Sequence, residues 1–170
     1  FAQLTRQPRV SWLALSGLRE LDAESAKNLA GWHVTTLILD GLRTLDAATA
    51  KNLAASWARG DAFSLRGLHT LEPAVARELA AWTGRVLYLD GLTTLTPELA
   101  RELAQWNGRD QRDDQTLFLR DLHTLTPEAA RELAAWPGLE LRLDGLTSLS
   151  PEVAKILARR EPGVLSLDGL

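Results

Sequence analysis

Hydrophobic positions along the chain alternate in short bursts. The bursts recur as one phrase, Leu-x-Leu-x-Gly-Leu or a light variant of it, written seven times. The copies are 13–18, 37–42, 63–68, 87–92, 117–122, 141–146 and 165–170. Their first positions are 24, 26, 24, 30, 24 and 24 residues apart, a period that marks a solenoid of stacked units. In Leu87-Tyr88-Leu89-Asp90 the leucines face one side and Tyr88 and Asp90 the other, which is the period of a strand. Gly91 then allows a turn where a β-carbon would obstruct, and Leu92 and Leu95 point back to the core.

After each strand the period changes to that of a helix. Thr96-Pro97-Glu98 supplies an N-cap, a proline at the first helical position and an acid near the positive dipole end. Glu72-Pro73, Thr126-Pro127-Glu128 and Ser150-Pro151-Glu152 repeat this start, and Asp22 and Asp46 take the N-cap in the first two units. Ala100, Leu103 and Ala104 form a narrow apolar stripe. The alanines Ala26, Ala50, Ala76, Ala130 and Ala154 are small enough for close helix–sheet contact. Glu98 with Arg101, Glu128 with Arg131 and Glu152 with Lys155 are i,i+3 pairs expected on the solvated side, worth roughly 0.2–0.5 kcal/mol each. Trp32, Trp57, Trp82, Trp106 and Trp136 recur near the helix ends and read as a packed ladder. Gly84, Gly108, Gly138 and Gly163 read as turns toward the next strand. Consecutive strands are expected to run parallel at about 4.8 Å. Because the helix layer is wider, the stack should curve with the sheet on its concave side.

Composition removes several function classes. Nineteen basic and 22 acidic residues, net charge −3, are well mixed, so there is no general basic footprint for nucleic acid. No apolar run approaches the ~20 residues of a membrane span, and no targeting segment is evident. Cysteine is absent, which excludes disulfides and thiolate metal sites. Phe1-Ala2-Gln3-Leu4 has the spacing of Ala26-Lys27-Asn28-Leu29, so the chain is expected to open inside a helix. The repeated phrase closes at Leu170, and neither terminus shows the polar outer unit that solenoids use. The expectation is one domain, 1–170, that is a piece of a longer array. It contains one irregular unit, 87–116, with a polar insertion at 107–115 that holds five charges in the six positions from Arg109 to Asp114.

Leu87-x-Leu89-x-x-Leu92-x-x-Leu95-Thr96-Pro97, followed by Leu99-Ala100 and Leu103-Ala104, resembles the leucine-rich repeat over essentially the whole chain. The subtype it is most similar to is the cysteine-containing class of F-box proteins and related bacterial effectors, with units of about 24 residues. The resemblance implies an α/β, right-handed leucine-rich-repeat solenoid with seven parallel strands on the concave side and short helices on the convex side. It departs at Leu92 and its equivalents, where the family carries Cys or Asn. That side-chain ladder is missing, so the loop amides must be satisfied in another way. No F-box is visible, and no ubiquitin-ligase role carries over.

The resemblance also implies that outward strand positions form the recognition surface. The central position reads Ala14, Ile38, Ser64, Tyr88, Phe118, Arg142, Ser166, and the position after the second leucine reads Ser16, Asp40, Arg66, Asp90, Arg120, Asp144, Asp168. The second row alternates in sign from Asp40 through Asp144. Two readings stay open: a self-neutralising cross-strand ladder, or arginines that offer donors to an acidic partner. Tyr88 and Phe118 are expected side by side and facing solvent, as anchors for a protein partner, unless the insertion covers them. The binding candidates are therefore Ile38, Arg66, Tyr88, Asp90, Phe118, Arg120 and Arg142.

Catalytic and metal signatures are not found. His69 and His123 share a phase that Arg and Thr occupy in other units, and His33 has no partner pattern. No phosphate loop, nucleophile elbow or metal helix appears. The Asp-Gly repeats give one carboxylate per unit, whereas calcium needs six to eight oxygens around one point. No catalytic residue, cofactor or metal is assigned. The expected function is a non-catalytic protein–protein recognition module that binds through the concave sheet. The alternatives are a self-assembling repeat segment joined through exposed repeat ends, or the targeting arm of a larger enzyme or effector.

Overall fold

A computed structural model describes residues 11–29, 34–57, 60–107, 114–161 and 163–170. Within them the strands are β1 (Trp12–Ala14), β2 (Thr36–Ile38), β3 (Ala62–Ser64), β4 (Val86–Tyr88), β5 (Thr116–Phe118), β6 (Glu140–Arg142) and β7 (Val164–Ser166). The helices between them are α1 (Ala23–Asn28), α2 (Ala47–Ser56), α3 (Pro73–Ala80), α4 (Pro97–Leu103), α5 (Pro127–Ala134) and α6 (Pro151–Leu157). The strands form one open parallel sheet in the order β1 to β7, each helix packing on its sequence neighbour. Equivalent positions of successive copies pair in register, Leu87 with Leu117 and Tyr88 with Phe118. The register holds even across the 30-residue step. This is a repeat solenoid.

Side-chain alternation fixes which face is which. Leu87 and Leu89 are buried and Tyr88 between them is half-buried, as period-2 geometry requires. The leucines of the repeats and Phe63 share one buried core with Ala50, Ala76, Ala100 and Ala130 of the helices, each with no accessible surface. Ala154 is exposed, unlike its counterparts.

Five helices start as their sequence suggests. Asp22, Asp46, Thr96, Thr126 and Ser150 accept the backbone N–H three residues on. For Asp22 and Asp46, bonds from Ser25 and Thr49 hold the carboxyls below their ordinary range. Glu72 is the exception. It sits at the N-cap of α3 without a side-chain cap bond, because a glutamate is one methylene longer than the residues that reach back well.

The tryptophans form the expected ladder. Trp82 stacks on Trp106 at 5.8 Å and Trp106 on Trp136 at 5.6 Å, and both pairs are nearly parallel. Trp82 donates Nε1–H to the Trp57 carbonyl and Trp136 does so to that of Trp106. Trp32 and His33 lie outside the described residues. One coil beyond Trp136, the same phase holds Arg160. Its guanidinium lies 5.5 Å above the Trp136 ring and donates to the carbonyls of Gly138 and Val164, although burial makes its charged form less favourable. Gly84 and Gly138, expected as turns, serve another purpose. A β-carbon at either would overlap the six-membered ring of Trp82 or Trp136. Only Gly163 among the described glycines has a left-handed φ, 137°, and Gly108 is not described.

One further expectation is corrected and another is met. On the helix face Arg101 pairs with Glu132 of the next helix and Arg77 with Glu102; Arg131 reaches both Glu128 and Glu152. Thus Glu128–Arg131 is the only one of the three i,i+3 pairs seen among the described residues. The loop amides at Leu92 and its equivalents are satisfied locally, each N–H donating to the carbonyl three residues earlier, as in Leu92 to Leu89.

Candidate recognition surface

On the sheet face opposite the helices, the pairing of Tyr88 with Phe118 places both rings on neighbouring strands, projecting from the same face. Their centroids are 4.5 Å apart and their planes 23° from parallel. This is about the strand spacing, so the rings stand off the sheet and stack along the solenoid axis. The Arg66 guanidinium covers the Tyr88 ring at 4.3 Å. Arg120 and Arg142 approach the Phe118 ring at 5.2 and 5.6 Å. Four coils therefore contribute to one stack, in axial order Arg66, Tyr88, Phe118, Arg142.

Asp90 organises it. Arg66 donates Nε–H to Oδ2, and Arg120 donates Nε–H to Oδ1 and an Nη2 hydrogen to Oδ2, all at 2.9 Å. The Arg120 backbone N–H adds a bond to Oδ1. Burial alone would push this carboxyl up. The bonds from Arg120 and Arg66 outweigh it and hold the group below its ordinary range, while Asp90 raises the Arg120 guanidinium. A carboxylate that is 8% exposed thus fixes two arginines from the coils on either side.

Asp40 and Asp144 carry out a related task. Asp40 accepts the Ser64 hydroxyl and the Arg66 N–H, and Asp144 accepts the Ser166 hydroxyl and the Asp168 N–H. In three coils, then, the aspartate before Gly binds the backbone of the next coil at its own phase. The alternating row is an interlocked ladder, as the first of the two sequence readings expects. Gly91 lets the coils close up, because a β-carbon there would overlap the Arg66 carbonyl. The fifth coil has Asp121 at that phase, and its N–H bonds the Asp90 carbonyl.

Of the seven candidate residues, six converge: Arg66, Tyr88, Asp90, Phe118, Arg120 and Arg142. Ile38 does not join them. It lies on β2 and pairs with Ser64 of β3, which separates it from Tyr88. Tyr88 and Phe118 are half-buried, less open than expected, because stacking and the guanidinium groups cover their faces. Sequence reasoning missed Glu140, which takes the Arg142 guanidinium at 2.6 Å. Its signal was available in the strand position before the first leucine, where β6 alone carries a charge.

Residues 108–113 of the insertion are not described. Its flanks are tied down: Asp114 pairs with Arg85 at 3.3 Å, and buried Gln115 donates to the Asn107 carbonyl. His69 and His123 bond the Gly91 and Gly145 carbonyls of the next coil through Nδ1, and Arg43 donates to Nε2 of His69. Among the described residues no three His, Cys, Asp or Glu side chains gather into a metal-holding group, and no helix is long and apolar enough to cross a membrane. No protein-family model matches the chain, and no curated protein is significantly similar to it.

Proposed function

We propose that the chain is a leucine-rich-repeat-like, non-catalytic module that recognises a protein partner with the outer face of its sheet. One observation carries the reading: an aromatic pair on a sheet face, clamped between arginines from flanking coils and held by one nearly buried carboxylate. Aromatic and arginine side chains dominate the energetics of protein interfaces. Rigid side chains also lose little entropy on binding. A structural role alone would be met by a simpler ladder, as Asp40 with Ser64 illustrates in a coil without aromatics.

The test is the double variant Y88S/F118S. It should keep the far-ultraviolet dichroism and cooperative melt of the wild type, since neither ring belongs to the leucine core. Quantitative capture with wild type and variant as baits should show a partner weakened on the variant by roughly tenfold or more. Equal capture rejects this face. A second reading, assembly through the sheet edges, is favoured by Trp12 and Val164, which are exposed on β1 and β7. Mass growth with concentration in light scattering would support it.

A further inference from the structure

We infer that the partner group received by this surface is a carboxylate, carried by an acidic segment with an adjacent apolar residue; the inference rests on the recognition reading above. Its basis is which parts of the stack remain open. One face of Tyr88 lies under Arg66 and the other against Phe118, whose second face meets Arg142. No ring face is free to hold a cation or another ring, so the rim is made of ring edges and guanidinium edges. Aromatic edges are the positive end of the ring quadrupole, and guanidinium edges are donors only. A group approaching the rim therefore meets positive charge and donors.

The formal charges of the patch nearly cancel, but they lie at different depths. The side chains of Arg66, Arg120 and Arg142 are 40, 43 and 35% exposed, whereas those of Asp90, Asp144, Glu140 and Asp40 are 8, 18, 23 and 24% exposed. The acids lie below and the guanidinium groups above. Arg66 and Arg120 come from coils two apart, yet both reach Oδ2 of Asp90 at 2.9 Å. Their heads are therefore neighbours, aimed by the carboxylate beneath. Asp90 uses Nε of Arg66 and both Nε and Nη2 of Arg120, and Asp40 lies 3.5 Å from Nη1 of Arg66. Nη2 of Arg66 and Nη1 of Arg120 thus have no protein acceptor among the described residues. Two such donors, oriented in advance, suit a carboxylate, and the neighbouring ring edges suit an apolar side chain beside it.

A random peptide display library, panned against the intact protein, tests this. Selected peptides should be enriched in Asp or Glu next to an apolar residue. They should bind less well at high salt and lose roughly tenfold or more in affinity on R66Q/R120Q/D90N. D90N is included so that no buried carboxylate is stranded and the variant folds. R66K/R120K keeps the charge without the planar fork and should lose affinity to a smaller degree. Peptides that need Tyr88 and Phe118 but lack acids, or are basic, overturn the carboxylate inference and leave the recognition face standing. If binding withstands both Y88S/F118S and R66Q/R120Q/D90N, or no peptide needing Tyr88 and Phe118 is recovered, the recognition face fails and the inference with it.

Discussion

The sheet face and the helix face of the same coils are both tied together by arginine and a carboxylate from a neighbouring coil. On the helix face Arg77, Arg101 and Arg131 are 68, 62 and 53% exposed, and each reaches one acid on the next helix. On the sheet face Arg66 and Arg120 converge on one nearly buried acid, which also accepts a backbone N–H. Identical chemistry at two depths has different consequences. Pairs in water gain little because hydration and side-chain entropy offset the attraction. A carboxylate removed from water depends on its partners for the whole of its solvation. The helix-face pairs are surface decoration, whereas the sheet-face cluster is a unit whose members fail together.

The largest expected effect comes from removing the shared acid. Asp90→Ala takes away the acceptor for two guanidinium groups and one backbone N–H, and should destabilise the protein by about 3 kcal/mol. This is the low end of the range for breaking a buried pair, because both arginines can still reach water. Chemical denaturation of wild type and variant measures it, and a loss below about 0.5 kcal/mol would put Asp90 in the same class as the helix-face pairs.

Somewhat smaller is the effect of closing the space that brings the coils together. Gly91→Ala places a methyl group against the Arg66 carbonyl and should cost about 1–3 kcal/mol by overpacking. Asp121→Ala at the same phase of the fifth coil should change stability little, since that backbone already carries a β-carbon. Equal losses at both positions would show that the glycine row reflects turn conformation instead of contact between coils.

A pH series separates the two faces in another way. Asp90 is held below the ordinary carboxylate range, near 4, despite burial, by bonds from Arg120 and Arg66. A depressed folded value means that the unfolded chain takes up the proton first as pH falls. The stability contributed is then complete above about pH 4 and is lost as pH drops through the folded value. The stability gap between wild type and Asp90→Asn should therefore be constant near neutrality and shrink below about pH 4. Asp22 and Asp46 have the same sign, so the comparison must be made against the variant and not read from the wild type alone.

How much of this the sequence disclosed depends on whether periodicity carried the information. The strands, their parallel register, the buried leucines and the tryptophan ladder follow from spacing, because each coil repeats the environment of the last. Tyr88 beside Phe118 could be read for the same reason. The role of Asp90 could not. The row does set Asp90 apart, as the one aspartate with an arginine on both sides, but neither its depth nor the convergence of both guanidinium groups on it can be read from spacing. Of the expected helix-face pairs only Glu128–Arg131 is seen among the described residues, because an i,i+3 pattern is visible along one helix whereas the competing partners lie 21–31 residues away on the next. Nothing in the spacing singles out Arg160, which stands where the other coils carry tryptophan, although its guanidinium continues the stack.

The smallest effect is also the sharpest test of the contrast between faces. Arg101→Ala removes one guanidinium that is 62% exposed and 3.3 Å from Glu132, and should cost no more than about 0.5 kcal/mol. The double-mutant cycle of Arg101→Ala with Glu132→Ala should give a coupling within the same limit and vanish at high salt. The cycle of Arg120→Ala with Asp90→Ala should give a coupling several times larger that high salt only partly removes, since little water or salt reaches Asp90. If the two couplings proved equal, burial would not be what distinguishes the faces. The arginine–aspartate row on the sheet would then be as replaceable as the row on the helices, and its arginines would have no fixed geometry to offer a partner.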